Sequence, residues 1–182
     1  MVYLALACRC AVGGVFGVSV AGKIRGRPAF RAFASWLAAL PVPLVRGQAR
    51  AAAAVIAAAE ATIVILVALP WTVRAGLVLA AVLLGVFAAG TWLAVARGTD
   101  ASCQCFGVSA SPLGRRHVVR DALLGAVAVA GVVAAGSGGA RPGGVAVSLG
   151  AGLVVAGFVV FLDDLAALFT PSGEAAAQTQ PR

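Results

Sequence analysis

Two stretches of the sequence decide the fold: AAAAVIAAAEATIVILVAL at residues 51–69 and GLVLAAVLLGVFAAGTWLAVA at residues 76–96. Each has the length of about 20 apolar residues that an α-helix needs to cross a bilayer. Glu60 is the only charged residue in either stretch. The connecting segment, Pro70–Arg74, begins with proline and predicts a tight turn. Together they predict a pair of antiparallel transmembrane helices.

The composition of the whole chain extends this prediction beyond the pair. Of the 182 residues, 62% are hydrophobic and only 11% are charged. A soluble domain carries about a quarter charged residues, so this chain has too few charges to cover a surface in water. The sequence therefore predicts an all-α, polytopic transmembrane helical bundle and excludes a soluble globular domain.

Apolar runs outside the pair predict three more spans and one surface helix. The spans are expected at Tyr3–Ala21, Ala122–Gly136 and Val145–Leu162, and the middle one is longer if Val118 and Val119 join it. Pro28–Leu40 carries aromatic and leucine side chains on one face, so we expect a helix in the membrane interface. The tail from Thr170 onward is polar and is expected to be disordered.

Positive charges predict the orientation, because Lys and Arg of short loops stay on the cytoplasmic side. Arg74 and Arg141 lie on one side of the predicted bundle. The other side carries Lys23, Arg25, Arg27, Arg31, Arg46, Arg50, Arg97, Arg115, Arg116 and Arg120. We therefore expect a cell-membrane protein with its amino terminus outside and the loop after the third span inside. The net charge of +8 is explained by Lys and Arg in the loops between membrane spans and does not indicate nucleic-acid binding.

That loop contains the most informative motif, Cys103-Gln104-Cys105-Phe106-Gly107. Two thiols one residue apart can close a small, strained disulfide ring, and strain with exposure raises the reduction potential of a disulfide. Arg97, Arg115 and Arg116 would favour the thiolate forms. Cys103 and Cys105 are therefore the candidate catalytic pair for thiol–disulfide exchange. Two alternatives stay open: inert thiols, and part of a metal site with His117, for which no fourth ligand is evident.

Cys8 and Cys10 in the first span are a separate case. Residues two apart on a helix point to nearly opposite faces, so these thiols cannot bond to each other. Burial as small apolar side chains explains them. A redox relay to the Cys103 loop is the alternative, across roughly 20 Å of helix.

Glu60 lies in the middle of the second span, where a charge is costly and needs a partner inside the bundle. We expect Arg9 to be that partner, because the first two spans are antiparallel and both residues lie in the half of their span that is nearer to the same face of the membrane. The pair could fix helix register or handle protons. Arg120 and Asp121 are expected to form a local pair at the start of the fourth span.

The chain resembles the MauE family, redox-associated membrane proteins related to the DoxX group. Phe16, Ser19, Lys23, Phe30 and Pro41 keep the spacing of that family around its first span and loop. Glu60 matches its acid in the second span, the Cys103 motif its C-x-C-F-G signature, and Arg120 its basic residue opening the fourth span. The resemblance implies a MauE-like domain at residues 1–136. Beyond it, the apolar run predicts an additional transmembrane helix within residues 137–169, and residues 170–182 form the polar tail.

The resemblance also implies thiol or disulfide handling for exported proteins, with a thioredoxin-like partner and a disulfide-containing client. The founding members resemble assembly factors for methylamine dehydrogenase, within methylamine metabolism. Lys23 and Arg120 then join Glu60 and Arg9 as structural or proton-handling residues. Whether the chain is an enzyme, a thiol–disulfide oxidoreductase, stays open. The rivals are a non-catalytic scaffold or assembly factor, and a small-solute or quinone-binding protein centred on Glu60, with quinone as the possible cofactor.

Overall fold

A computed structural model describes residues 1–39, 48–97, 102–103, 111–112, 115–135 and 141–168. Within these ranges the chain forms α1 (Val2–Ile24), α2 (Arg27–Ala39), α3 (Ala49–Ala68), α4 (Val73–Ala96), β1 (Ser102–Cys103), β2 (Ser111–Pro112), α5 (Arg115–Ala134) and α6 (Pro142–Leu168). Five of the described helices, all except α2, are long and apolar enough to cross a membrane. The predicted helical membrane bundle is confirmed, while the short β1–β2 ladder was not predicted from the sequence.

α3, α4 and α5 pack with α1 as an antiparallel bundle, and α1 contributes one of its faces to the core of this bundle. That face carries Cys8, Val12, Val15 and Phe16, all buried. The Cβ of Cys8 lies so close to Gly131 on α5 that a methyl group on the glycine would come within 2.9 Å of it. The α3–α4 turn is equally tight, because a Cβ at Gly76 would lie 2.9 Å from the backbone nitrogen of Val67. Small residues therefore set the close approach of these helices.

The additional helix, α6, packs against a second face of α1 and runs parallel to it. A Cβ on Gly152 would lie 2.6 Å from the carbonyl oxygen of Ala7, and one on Gly14 would lie 2.9 Å from Ala156. At the start of α6 the backbone nitrogen of Arg141 donates to the Tyr3 hydroxyl at 3.1 Å. Small residues recur every four positions along α6, at Gly144, Ser148, Gly152 and Ala156. This pattern permits the close helix contact that membrane helices use in place of a hydrophobic driving force.

The amphipathic helix predicted after the first span is α2. Its buried face contains Phe33, Ala34, Trp36 and Leu37, whereas Arg27, Arg31 and Ser35 are exposed. The apolar face packs against α1 and α3. α2 therefore covers the end of the bundle at which α1 ends and α3 begins.

The short ladder lies at the same end of the bundle, in the connection between α4 and α5. β1 and β2 are antiparallel, with Cys103 opposite Ser111 and Ser102 opposite Pro112. β2 ends three residues before α5 begins. The backbone of Cys103 is thereby held near the start of α5.

Candidate functional site

A buried ion pair lies between α1 and α3. Lys23 Nζ is 2.7 Å from both carboxylate oxygens of Glu60, and it donates a further hydrogen bond to Ser19 Oγ at 2.7 Å. Ser19 Oγ in turn donates to Glu60 Oε2 at 3.3 Å. The Lys23 side chain is 5% exposed and the Glu60 side chain 0%. Both carboxylate oxygens are therefore bound by donors within an apolar bundle.

The direction of helical side chains explains why Lys23 reaches Glu60. Side chains on an α-helix point back toward its amino terminus, so Lys23, one residue before the end of α1, extends toward the level of Ser19. The hydrogen bond from Ser19 places that level opposite Glu60. On its other side the Lys23 ammonium lies 4.6 Å from the centre of the Phe33 ring on α2, a cation–π contact. Phe33 stacks in turn on Trp36, with ring centres 5.9 Å apart.

The predicted pair of Arg9 with Glu60 is wrong. Arg9 Nε donates to the carbonyl oxygen of Val67 at 2.5 Å, and its Nη2 donates to that of Ala68. Arg9 is thus level with the end of α3, while Glu60 is opposite Ser19, ten residues or about 15 Å further along α1. The sequence-based estimate of depth placed the two residues too close together.

Arg9 instead donates hydrogen bonds to backbone carbonyls at the carboxyl-terminal end of α3. The last four carbonyls of a helix lack partners within it, and in lipid each must be satisfied inside the protein. Here Ile65 accepts from the Leu69 nitrogen, Leu66 accepts from the Thr72 hydroxyl at 2.7 Å, and Arg9 binds the remaining two. Arg74 does the same beyond α5, where it donates to the carbonyl of Ala135. These two arginines therefore have structural partners.

Three polar residues in the first turns of α5 are also buried: His117, Arg120 and Asp121, with 1%, 3% and 1% exposure. Arg120 Nε is 3.4 Å from Asp121 Oδ1, which is the local pair that the sequence predicted. The Cys8–Gly131 contact sets the antiparallel register of α1 and α5. Counting equal distances from it along both helices brings Ser19 level with Arg120. The ion pair and the α5 group therefore occupy one polar layer across α1, α3 and α5.

Cys8 and Cys10 are both free thiols. Cys8 is 5% exposed and packs beside Gly131, and Cys10 packs beside Gly152. Cys8 lies sixteen residues, or about 24 Å, from the end of α1 that faces the β ladder. The separation excludes direct exchange with Cys103 in this arrangement and gives both thiols a packing role. A relay through other groups stays a prediction.

The structure describes the backbone of Cys103, in β1. Cys105 and the rest of the motif, Gln104, Phe106 and Gly107, lie outside the described residues, as do Pro41, Arg46 and the tail from residue 169 onward. The cysteine ladder and the polar layer are at the same end of the bundle, because both adjoin the start of α5. Cys103 and His117 thus belong to neighbouring parts of the fold, although no contact between them is described.

The fold and the buried centre define a class: a multi-pass membrane protein with paired ionisable groups inside its bundle and a cysteine-bearing ladder at one end. The comparison with protein families then gives the particular family. Residues 1–134 match the family described as methylamine utilisation protein MauE, and the chain belongs to this family. Comparisons with curated proteins and with solved structures give no match. The match ends where α5 ends, so α6 follows it.

Sequence reasoning missed the central contact of the site, between Lys23 and Glu60. Two signals in the sequence could have found it. Ser19 and Lys23 are four residues apart and so share a helix face, which makes a polar face at the end of an otherwise apolar span. A lysine side chain near the carboxyl-terminal end of a helix also points back toward the amino terminus of that helix, and here this direction leads into the bundle. The role of Phe33 as a cover over this lysine has no comparable sequence signal.

Proposed function

We propose that this protein exchanges thiols and disulfides at the membrane through Cys103 and Cys105, in support of the maturation of exported proteins. The observation that carries the proposal is the pairing of Cys103 with Ser111. A fully extended chain spans four residues in about 14 Å, and Ser111 precedes Arg115 by four residues. The ladder therefore keeps the cysteine close to the basic start of α5, where positive charge favours a thiolate.

The proposed reaction is a two-electron exchange with a thioredoxin-like partner. A thiolate of one protein attacks the disulfide of the other, forming a mixed disulfide and releasing one partner thiolate. The second cysteine thiolate then attacks the mixed disulfide, so that one disulfide forms as the other breaks. The two protons lost by the dithiol are taken up by the thiolates released from the other protein. No further oxidant enters this step, and either direction of electron flow obeys the same balance.

The buried polar layer has a supporting part in this proposal. Glu60, Lys23 and Ser19 join α1 to α3, and Arg120 with Asp121 begins α5 at the same level. An ion pair of this kind fixes helix register, because each partner left alone in an apolar bundle is costly. The layer would therefore hold the start of α5, and with it the β ladder, in a fixed place.

The test uses a variant in which only the reactive pair can be labelled. In a Cys8→Ala/Cys10→Ala background, we expect alkylation and mass spectrometry to find Cys103 and Cys105 in both bonded and free forms in growing cells. Replacing either by serine should abolish the bonded form and accumulate a mixed disulfide with the partner. If both thiols stay free whatever oxidant is supplied, the exchange is refuted. A membrane-impermeant thiol reagent on intact cells, applied to the same background, identifies the side on which the pair lies. A cytoplasmic pair would have to pass electrons across the bundle to act on exported proteins, whereas a pair on the outer side would contradict the orientation expected from the charges.

A second candidate function is favoured by the Lys23–Glu60 pair itself. Ionisable residues inside membrane spans commonly mark sites for solutes or protons, and a quinone is one ligand that such a site could take. Glu60→Gln keeps the size of the side chain and removes its charge. If disulfide exchange and client maturation both persist in Glu60→Gln while the cysteine variants lose them, the pair is structural. If Glu60→Gln abolishes client maturation with the cysteines still cycling, this second function is favoured.

A further inference from the structure

A cavity of about 940 Å³ opens between the end of α1, α2 and the start of α3. Among the residues that the structure describes, four cations line it: Lys23, Arg27, Arg31 and Arg50. Lys23 is neutralised by Glu60 at 2.7 Å, and it forms the boundary between the cavity and the buried ion pair. The three arginines are exposed, so their guanidinium groups are available to a ligand.

The sequence provides no acid to balance these arginines locally. The chain has six Asp and Glu residues in all, and none lies between Ile24 and Ala59. This holds for the whole connection from α2 to α3 and not only for the described part. Three positive charges from two helices therefore converge on one cavity without a carboxylate from the same region of the chain.

The remaining lining is largely apolar. Ile24, Phe30 and Ala34 contribute to the wall beside the arginines. A ligand that fits both parts carries a compact anion at one end and hydrocarbon at the other. Guanidinium groups bind phosphate in bidentate geometry and suit this anion better than a point charge does.

We propose that this cavity binds the phosphate-bearing headgroup of an anionic phospholipid. Its location supports this occupant, because α2 is amphipathic and the charge count assigns this end of the bundle to the cytoplasmic face. Anionic lipids are enriched in that leaflet, where they attract basic segments. A bound headgroup would join α2, through Arg27 and Arg31, to α3, through Arg50. It would thereby hold Phe33 in place over Lys23.

The experiment measures the melting temperature of the full-length protein, delipidated in a neutral detergent. The probes are short-chain phosphatidylglycerol, short-chain phosphatidylcholine and inorganic phosphate. We expect phosphatidylglycerol alone to raise the melting temperature in a saturable manner. An equal rise with phosphatidylcholine refutes an anion-specific site, and an equal rise with inorganic phosphate refutes a lipid as the occupant.

Paired variants then locate the binding. Arg27→Gln/Arg31→Gln should weaken the affinity for phosphatidylglycerol about tenfold or more, because each guanidinium contributes a charge-assisted hydrogen bond. Arg25→Gln/Arg116→Gln is the matched control, since both residues are exposed at the same end of the bundle and neither lines the cavity. If the control weakens binding equally, the effect is general surface charge and the site is refuted. Arg50→Gln, on a different helix, tests the same site should the double variant fail to fold.

Discussion

Two cations of α1 show how differently a membrane helix can hold a positive charge. Arg9 and Lys23 are about 21 Å apart along the same helix. Arg9 binds the two carbonyls left over at the end of α3, where the helix dipole also favours a cation. Lys23 instead binds a carboxylate in the middle of α3, among fully buried side chains.

The difference separates a charge that completes backbone hydrogen bonding from one that another charged side chain neutralises. Without Arg9, two backbone carbonyls in lipid would lack donors. Lys23 and Glu60 bind each other and Ser19, and two apolar residues of similar size would fill the same space. Lys23 is also the residue at which the buried layer meets the arginine-lined cavity.

The largest expected effect comes from breaking the buried pair on one side only. Lys23→Met leaves the Glu60 carboxylate uncompensated and should lower the free energy of unfolding by about 3–5 kcal/mol. Lys23→Met/Glu60→Met removes both charges and should recover most of this loss. The measurement is unfolding in mixed micelles with increasing dodecyl sulfate, followed by circular dichroism. A double variant as unstable as the sum of both single variants would contradict the replaceable pair described above.

Arg9→Gln should cost less, about 1–3 kcal/mol, because it removes charge-assisted hydrogen bonds to two carbonyls. The same dodecyl sulfate titration measures it. Since Arg9 and Lys23 are far apart, their losses should add when Arg9→Gln is combined with Lys23→Met/Glu60→Met. Marked non-additivity would mean that the two cations are coupled, contrary to the separate partners seen here.

Gly152→Ala tests the contact between α6 and the face of α1 that includes Ala7 and Cys10. The added methyl group would lie 2.5 Å from the Cβ of Cys10 and 2.6 Å from the Ala7 carbonyl, so we expect a loss of about 1–3 kcal/mol from overpacking. Gly150→Ala is the control, because a Cβ there meets nothing within 4 Å. Equal unfolding midpoints for the two variants would mean that α6 does not pack on α1 in this way.

The smallest effect belongs to the aromatic cover over Lys23. Phe33→Leu keeps an apolar side chain and removes the cation–π contact, which should cost about 0.5–1 kcal/mol. In the Lys23→Met/Glu60→Met background that part of the cost should vanish, because no cation remains. A loss of the same size in both backgrounds would assign the role of Phe33 to packing alone.

The spans were predictable because apolar runs of membrane length have few other structural solutions. The start of α5 was less predictable. The helix begins at Arg115, whereas the sequence predicted a start at Ala122, with Val118 and Val119 as a possible extension. Hydropathy could not indicate that His117, Arg120 and Asp121 are buried inside the first turns. Burial of polar residues depends on neighbouring helices, which a single sequence does not display.

The partner of Glu60 was missed for a related reason. Depth in a bundle was estimated from position along each span, but antiparallel helices can be offset, and side-chain direction adds several ångströms. The small residues of α6 recur at every fourth position of the sequence, but the face of α1 on which they pack, which includes Ala7, Cys10 and Gly14, is defined only by the structure. The C-x-C motif was identified without any structural information, and its reactivity stays a prediction.

The two-sided packing of α1 has a consequence for biogenesis. α3 and α5 occupy one face of this helix and α6 another, so α1 contacts a helix that is synthesised after the other described helices. Translation proceeds from the amino terminus, so the face of α1 that includes Ala7, Cys10 and Gly14 has no α6 to pack against until residues 142–168 emerge. The described bundle is therefore completed only when α6 has been translated, and a chain truncated after residue 134 would leave that face of α1 uncovered.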